Sequence, residues 1–276
     1  MFRCGRGGID LSRAIVKRFV KEILLGAGLY YKVNAYRFGH DQKNTSQKAF
    51  YSTIIGRDDL VFDVGANVGQ RAAIFSELAR TVVAFEPQAE CVRHLRSRFR
   101  FKRNVKIEPV ALSEERGEAV IYESSAHTVS SMSPKFIESV GKKVFQDETW
   151  DEKVVVHTKT LDQMIELYGL PRFIKIDVEG FELNVLNGLS RPVPMLSFEF
   201  IPLALDEVEK CLSRLNEISA DFLYDYCLGE KLDFVLREHV DYETFSRDVL
   251  PELERAPSFG DIYAINKSDL GKELAN

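Results

Sequence analysis

Val61-Phe62-Asp63-Val64-Gly65-Ala66-Asn67-Val68-Gly69 is the stretch on which the fold turns. A short apolar run carries a carboxylate near its end and opens into a glycine-rich turn. A helical pattern with Ala72, Ala73, Phe75 and Leu78 follows. Glycines let a backbone bend sharply and approach a ligand closely. A helix start presents unpaired N–H groups and partial positive charge, which suit a phosphate or an amino-acid carboxylate. Gly65, Ala66, Asn67 and Gly69 are therefore expected at a ligand site, with Asp63 at the strand end beside them.

A second carboxylate strengthens this reading. Val82-Val83-Ala84-Phe85-Glu86-Pro87 places Glu86 23 residues after Asp63. A carboxylate at about that distance past a glycine turn can accept both hydroxyls of an adenosine ribose. NAD calls for G-x-G-x-x-G, which Gly65-Ala66-Asn67-Val68-Gly69 lacks, and Asp63 would oppose a diphosphate. S-adenosylmethionine carries an ammonium and a sulfonium, and both suit a carboxylate there. No P-loop sequence for ATP or GTP is present.

Outward from this turn, nearly all-apolar strands alternate with helical patterns. After Val82–Glu86 comes a helix carrying Val92, Leu95 and Phe99, then a strand over Val105–Leu112. Such alternation marks a parallel sheet covered on both faces. Residues 113–159 break the rhythm, with an extra strand at Gly117–Glu123 and a return to strand at Val154–Thr158. The rest of this insertion either lacks fixed structure or forms a lid. Thr160-Leu161-Asp162-Gln163 predicts a capped helix. Strands follow at Phe173–Asp177 and Met195–Phe200, then a helix over Asp206–Ile218. A hairpin is expected from Phe222–Cys227 and Leu232–Leu236, and a final strand at Asp261–Asn266. The division expected is a basic helical extension over 1–57, a main domain over 58–267 and a tail over 268–276.

Asp63–Gly69, Phe85-Glu86-Pro87, Thr160-Leu161-Asp162 and Ile174-Lys175-Ile176-Asp177-Val178-Glu179-Gly180-Phe181-Glu182 together resemble the FkbM family of class I S-adenosylmethionine-dependent methyltransferases. The resemblance covers about residues 45–267. It implies an α/β fold of the class I methyltransferase (Rossmann-like) type, a doubly wound seven-stranded sheet with its last strand antiparallel. Here an N-terminal helical extension would precede it. It also implies methyl transfer to oxygen, often a sugar or natural-product hydroxyl. The acceptor does not follow from the fold. Asp63, Gly65, Ala66, Asn67, Gly69, Glu86 and Pro87 would hold S-adenosylmethionine. Ala111 and Leu112 lie where such a fold usually meets adenine.

Asp177 should end a central strand, where open α/β sheets bind ligands. Glu179 and Glu182 would share one face of the next helix, and Glu199 should face the same crevice. These carboxylates could orient an acceptor, take its proton or hold a cation. Acidic residues in a helix's first turn are also favoured by the dipole alone. No established metal-ligand spacing is present, so a divalent metal is possible but not predicted. His127, in Ser124-Ser125-Ala126-His127-Thr128-Val129-Ser130-Ser131, is a candidate base on a loop over the sheet edge. His157 reads as structural, His94 as surface, and Asp225 with Asp233 as hairpin surface. Asp177, Glu199, His127 and Glu179 are the residues expected to carry the chemistry.

Charge separates two regions. Residues 1–57 hold eleven Lys and Arg against three Asp and Glu, while the whole chain is net −5. Leu11, Ala14, Ile15, Phe19 and Ile23 recur at helical spacing among Arg13, Lys17, Arg18 and Lys21. This basic amphipathic helix could pack on its own domain, touch anionic lipid or mediate a homodimer. An acidic body speaks against nucleic acid as a partner, and the resemblance implies a small-molecule or glycan acceptor. The longest apolar run, Ile23–Tyr31, is too short to span a bilayer, and no signal-peptide pattern is seen. Four cysteines lack metal or disulfide spacing, and Cys91 and Cys211 fit buried thiols in a reducing compartment. A cytoplasmic protein is expected. The competing functions are a non-catalytic S-adenosylmethionine-binding protein, an N- or nucleic-acid methyltransferase on the same fold, and a nicotinamide oxidoreductase.

Overall fold

The computed structural model describes residues 41–123, 132–133, 152–230 and 232–272. The basic helix expected near residues 10–23, His127 and the Ser130-Ser131 pair lie outside them.

The main sheet has seven strands: β1 Leu60–Val64, β2 Thr81–Phe85, β3 Val105–Glu108, β7 Phe173–Ile176, β8 Met195–Phe200, β9 Phe222–Leu228 and β10 Gly260–Asn266. Their order is β3-β2-β1-β7-β8-β10-β9, and β10 alone runs antiparallel to its neighbours β8 and β9. This is the doubly wound sheet with an antiparallel last strand. Order reverses between β1 and β7, the point at which such sheets open a crevice at their carboxyl ends. A second sheet joins β4 Ala111–Leu112, β5 Gly117–Glu123 and β6 Glu152–Lys159 in the order β4-β6-β5.

Alternation along each strand divides the core. Phe62, Val64, Ile174, Ile176 and Phe198 face one cluster, packed under α4 Leu161–Tyr168, α5 Glu182–Asn187 and α6 Leu205–Ile218. Val61, Val82, Phe173 and Tyr263 face the other, under α1 Asp41–Tyr51, α2 Gln70–Leu78 and α3 Ala89–Arg98. Tyr51 anchors α1 there, edge-on to Phe75 with ring centroids 4.8 Å apart. Such a pair adds about 0.5–1.5 kcal/mol beyond its buried area. The start of α4 is as the sequence reads: Thr160 and Gln163 cap one another reciprocally.

Two elements differ from the sequence reading. The strand expected over Val105–Leu112 ends at Glu108, and Ala111–Leu112 crosses to pair with β6. Pro109 has no N–H with which to continue the ladder, and Val110 turns back to Glu108. The strand pair expected after β9 does not form. The last strand β10 takes one edge of β9. On the other edge, among the described residues, the only backbone contacts are from the Val235 N–H to the Tyr226 carbonyl and between Tyr224 and Val240. Residues 232–240 instead fold against β9, with a bridge between Tyr224 and Val240. Asp225, read as surface, is fully buried at its centre. Its carboxylate accepts from the Tyr226 and Leu236 N–H groups and meets His239 Nδ1 at 2.9 Å.

Candidate active site

The glycine turn is held in place at both ends. Gly65 has φ +80°, and a Cβ there would lie 1.8 Å from the Asp177 carbonyl oxygen, so only glycine fits. The turn thereby rests directly on the end of β7. The Gly65 and Ala66 N–H groups both donate to the Phe85 carbonyl at 3.0 Å. Asn67, in the left-handed region at φ 51°, donates its N–H to Glu86 Oε2 at 2.9 Å. Glu86 Oε1 accepts from Gln88 N–H at 2.8 Å. Glu86 thus ties the turn after β1 to the segment after β2.

A hollow of about 260 Å³ opens at this edge. Asp63, Gly65, Ala66 and Asn67 line one side, Glu86 and Pro87 the next, and Ala111 and Leu112 a third, with Asp177 and Glu179 facing them. Gly69 is the exception among the residues expected there. It lies off the hollow, and a Cβ on it would meet Leu95 and Phe99 at 2.7 and 2.6 Å. Its glycine serves the close approach of α3 to the turn.

Asp63 is 1% exposed. Burial pushes its carboxyl up to about 7, against the pull of Lys175, Arg71 and the Ala72 N–H. Asp63 lines the hollow, and among the described residues its buried Oδ2 has no hydrogen-bond partner. An unpartnered buried carboxylate oxygen is costly unless a donor arrives. That oxygen fits an ammonium brought by a ligand. With Glu86 at the next strand end, the residues fit the nucleoside and amino-acid ends of S-adenosylmethionine.

Lys175 is the site residue that sequence reasoning passed over. It sits in register with Asp63 on β1, and its ammonium lies 3.1 Å from both Asp177 and Asp261. Asp177 and Asp261 hold its proton well above the usual lysine range despite burial. A lone charge inside the apolar strand Phe173-Ile174-Lys175-Ile176 was the available signal, since such a residue is buried only with partners.

The acids are brought together, with one rearrangement. Glu179 is not on the helix; it precedes it at φ 53°, in the left-handed region. Glu182 opens α5 and turns back to accept from the Val178 and Gly180 N–H groups, both at 3.2 Å. Its carboxylate is therefore committed to the loop. Asp177, Glu179 and Glu199 bring carboxylate oxygens within 4.8 Å of one another. Burial first, then repulsion from neighbouring carboxylates, pushes Glu179 and Glu199 well above the usual range. Glu199 lines a smaller hollow of about 40 Å³ with Phe198, Ile201 and Cys211. The acid cluster thus stands between two openings. Its oxygens are also donors of the kind a divalent cation takes.

The histidines are placed differently from their sequence reading. His94 is buried, 3.3 Å from Glu90, and not on the surface. His157 is 78% exposed on β6 and not structural. His127 lies outside the described residues. Cys91 and Cys211 are buried thiols outside any disulfide, as expected. No helix among the described residues is long and apolar enough to cross a membrane.

A glycine turn at the reversal point of such a sheet, flanked by carboxylates on successive strand ends, is a doubly wound α/β arrangement whose crevice can accommodate a nucleoside. A family model described as the methyltransferase FkbM domain matches residues 63–218. The chain belongs to that family. It is 28% identical over 161 residues to the hexuronic acid methyltransferase AglP of Haloferax volcanii, a match covering 57% of this chain and 61% of that one. Among solved structures, it is similar to the methyltransferase FkbM of Methylobacillus flagellatus, with a TM-score of 0.47 and 15% identity. That match covers 78% of this chain and 47% of the other. It is also similar to precorrin-6y C5,15-methyltransferase of Geobacter metallireducens, with a TM-score of 0.44 and 12% identity over 79% of this chain and 86% of that one.

Proposed function

We propose that the protein is an S-adenosylmethionine-dependent methyltransferase acting on a hydroxyl of a sugar, glycan or natural product. The observation that carries this reading is Asp63, whose Oδ2 is unpartnered among the described residues, lining the same hollow as Glu86. Bound S-adenosylmethionine supplies a methyl group already activated by its sulfonium. The chain's part is then positioning and proton removal. Asp63 receives the ammonium and Glu86 the ribose hydroxyls, while Ala111 and Leu112 give the base an apolar wall. Asp177, fixed by Lys175, orients the acceptor hydroxyl. Glu179 or Glu199 takes its proton, and a carboxylate raised by burial is a stronger base once ionised. A relative whose name specifies hexuronic acid supports a sugar acceptor.

Two outcomes check the residues. Glu86→Ala is expected to weaken S-adenosylmethionine binding by more than about tenfold in calorimetry, since hydrogen bonds to a charged group are lost. Near-normal affinity would remove Glu86 from the site. Asp177→Asn is expected to lower turnover by about tenfold while leaving cofactor affinity within about threefold, because it positions the acceptor. The reading as a whole is tested by tritiated-methyl transfer to glycan, lipid-linked sugar and polyol pools, with and without EDTA. Binding of S-adenosylmethionine with no transfer to any pool would favour a non-catalytic binder.

A further inference from the structure

Two opposite charges at the larger hollow, those of Asp63 and Arg71, are not hydrogen-bonded to one another. Asp63 borders it from the end of β1, and Arg71 borders it from the first turn of α2. Arg71 lies near enough to help keep Asp63 ionised, yet it gives Nη2 to Glu230 Oε2 at 3.1 Å instead. Glu230 Oε2 also accepts from Gln47 Nε2 at 2.9 Å. One carboxylate oxygen at the rim therefore collects α1, α2 and the segment after β9. Among the described residues the guanidinium makes that single hydrogen bond, so most of its N–H donors remain. Asp63 Oδ2 likewise has none.

Opposite charges on one wall, each with bonding capacity left over, select a ligand that carries both signs. A phosphate would be opposed by Asp63, and a simple cation by Arg71. A zwitterionic α-amino acid end matches both. We propose that Arg71 binds the carboxylate of the ligand's amino-acid end and that Glu230, braced by Gln47, holds the guanidinium in aim. This rests on the reading of the hollow as the S-adenosylmethionine site and adds the residue that makes it specific for the complete amino acid. A planar guanidinium pairs with a carboxylate through two parallel hydrogen bonds, which a lysine cannot reproduce.

The test is calorimetric titration of the full chain with S-adenosylmethionine, decarboxylated S-adenosylmethionine and 5′-methylthioadenosine. The unaltered chain should prefer S-adenosylmethionine over its decarboxylated form by about tenfold or more. Arg71→Met should bring that ratio to within about threefold while leaving the affinity for 5′-methylthioadenosine unchanged. Arg71→Lys should recover only part of the ratio. Should Arg71→Met fold poorly, Glu230→Gln keeps the question open to measurement, because a loosened guanidinium should shrink the same ratio. Equal loss of affinity for all three ligands, or an undiminished ratio in Arg71→Met, would assign Arg71 a structural role and overturn the proposal. Tight binding of S-adenosylmethionine and its decarboxylated form alike by the unaltered chain overturns it too, while leaving the cofactor reading intact. Failure to bind any of the three removes the cofactor reading itself, and this proposal with it.

Discussion

Asp63→Asn is expected to weaken S-adenosylmethionine binding by about a hundredfold, because a charge-assisted hydrogen bond to an ammonium is lost inside a buried wall. The same substitution should make the apoprotein more stable. Burial raises the Asp63 carboxyl from 3.8 to about 7, so between those values the folded chain holds a proton that the unfolded chain has released. Stability therefore falls as pH rises through that window, and above about 7 the full cost of burying the charge is present. An amide of the same shape carries no such cost. A melting temperature raised by at least about 2 °C near neutral pH is the expected reading. The unaltered chain should also bind S-adenosylmethionine more tightly as Asp63 ionises. Affinity should rise about tenfold between about pH 5.5 and about pH 7, where the ligand's amino group stays protonated. In Asp63→Asn that slope should vanish. Unchanged affinity in the variant, or a melting temperature several degrees lower, would mean that Asp63 holds the fold and not the ligand.

Lys175→Met should destabilise the fold by about 3–5 kcal/mol, read as a lower urea midpoint. The side chain is 3% exposed and touches two carboxylates, each at 3.1 Å. Methionine keeps the volume and removes the charge. Asp261, itself buried, then faces an apolar group with its charge uncompensated. The loss comes mainly from that orphaned partner and not from the pair's own worth. Lys175→Met combined with Asp261→Asn should consequently recover part of the stability, a non-additivity expected of residues in direct contact. An unaltered midpoint in the single variant would show that water or rearrangement satisfies Asp261 without the lysine.

Local patterns made much of the architecture legible. Apolar runs of strand length, glycine stops and the Thr160–Gln163 cap each act over a few residues, and the structure follows them closely. Pairing was less legible. Residues 222–228 have the chain's last strand on one edge, while the segment read as their hairpin partner meets the other edge only at Val235 and Val240. Asp225 follows from the same point: in a hairpin it reads as surface, while its partners, Leu236 and His239, arrive from a segment that does not pair as a strand.

By itself the sequence laid out the elements of the candidate site: a glycine turn after an apolar strand, with carboxylates at Asp63 and Glu86 on successive strand ends. These are properties of short segments, where backbone freedom and hydrophobic period suffice. Only the tertiary structure decided which charges meet. Lys175 lies between Asp177 and Asp261, Glu199 reaches Asp177 and Glu179 across strands, and Glu230 finds Arg71 from 159 residues away. Electrostatic pairing depends on distance in space and on exclusion of water, and neither is written in the spacing of residues along a chain.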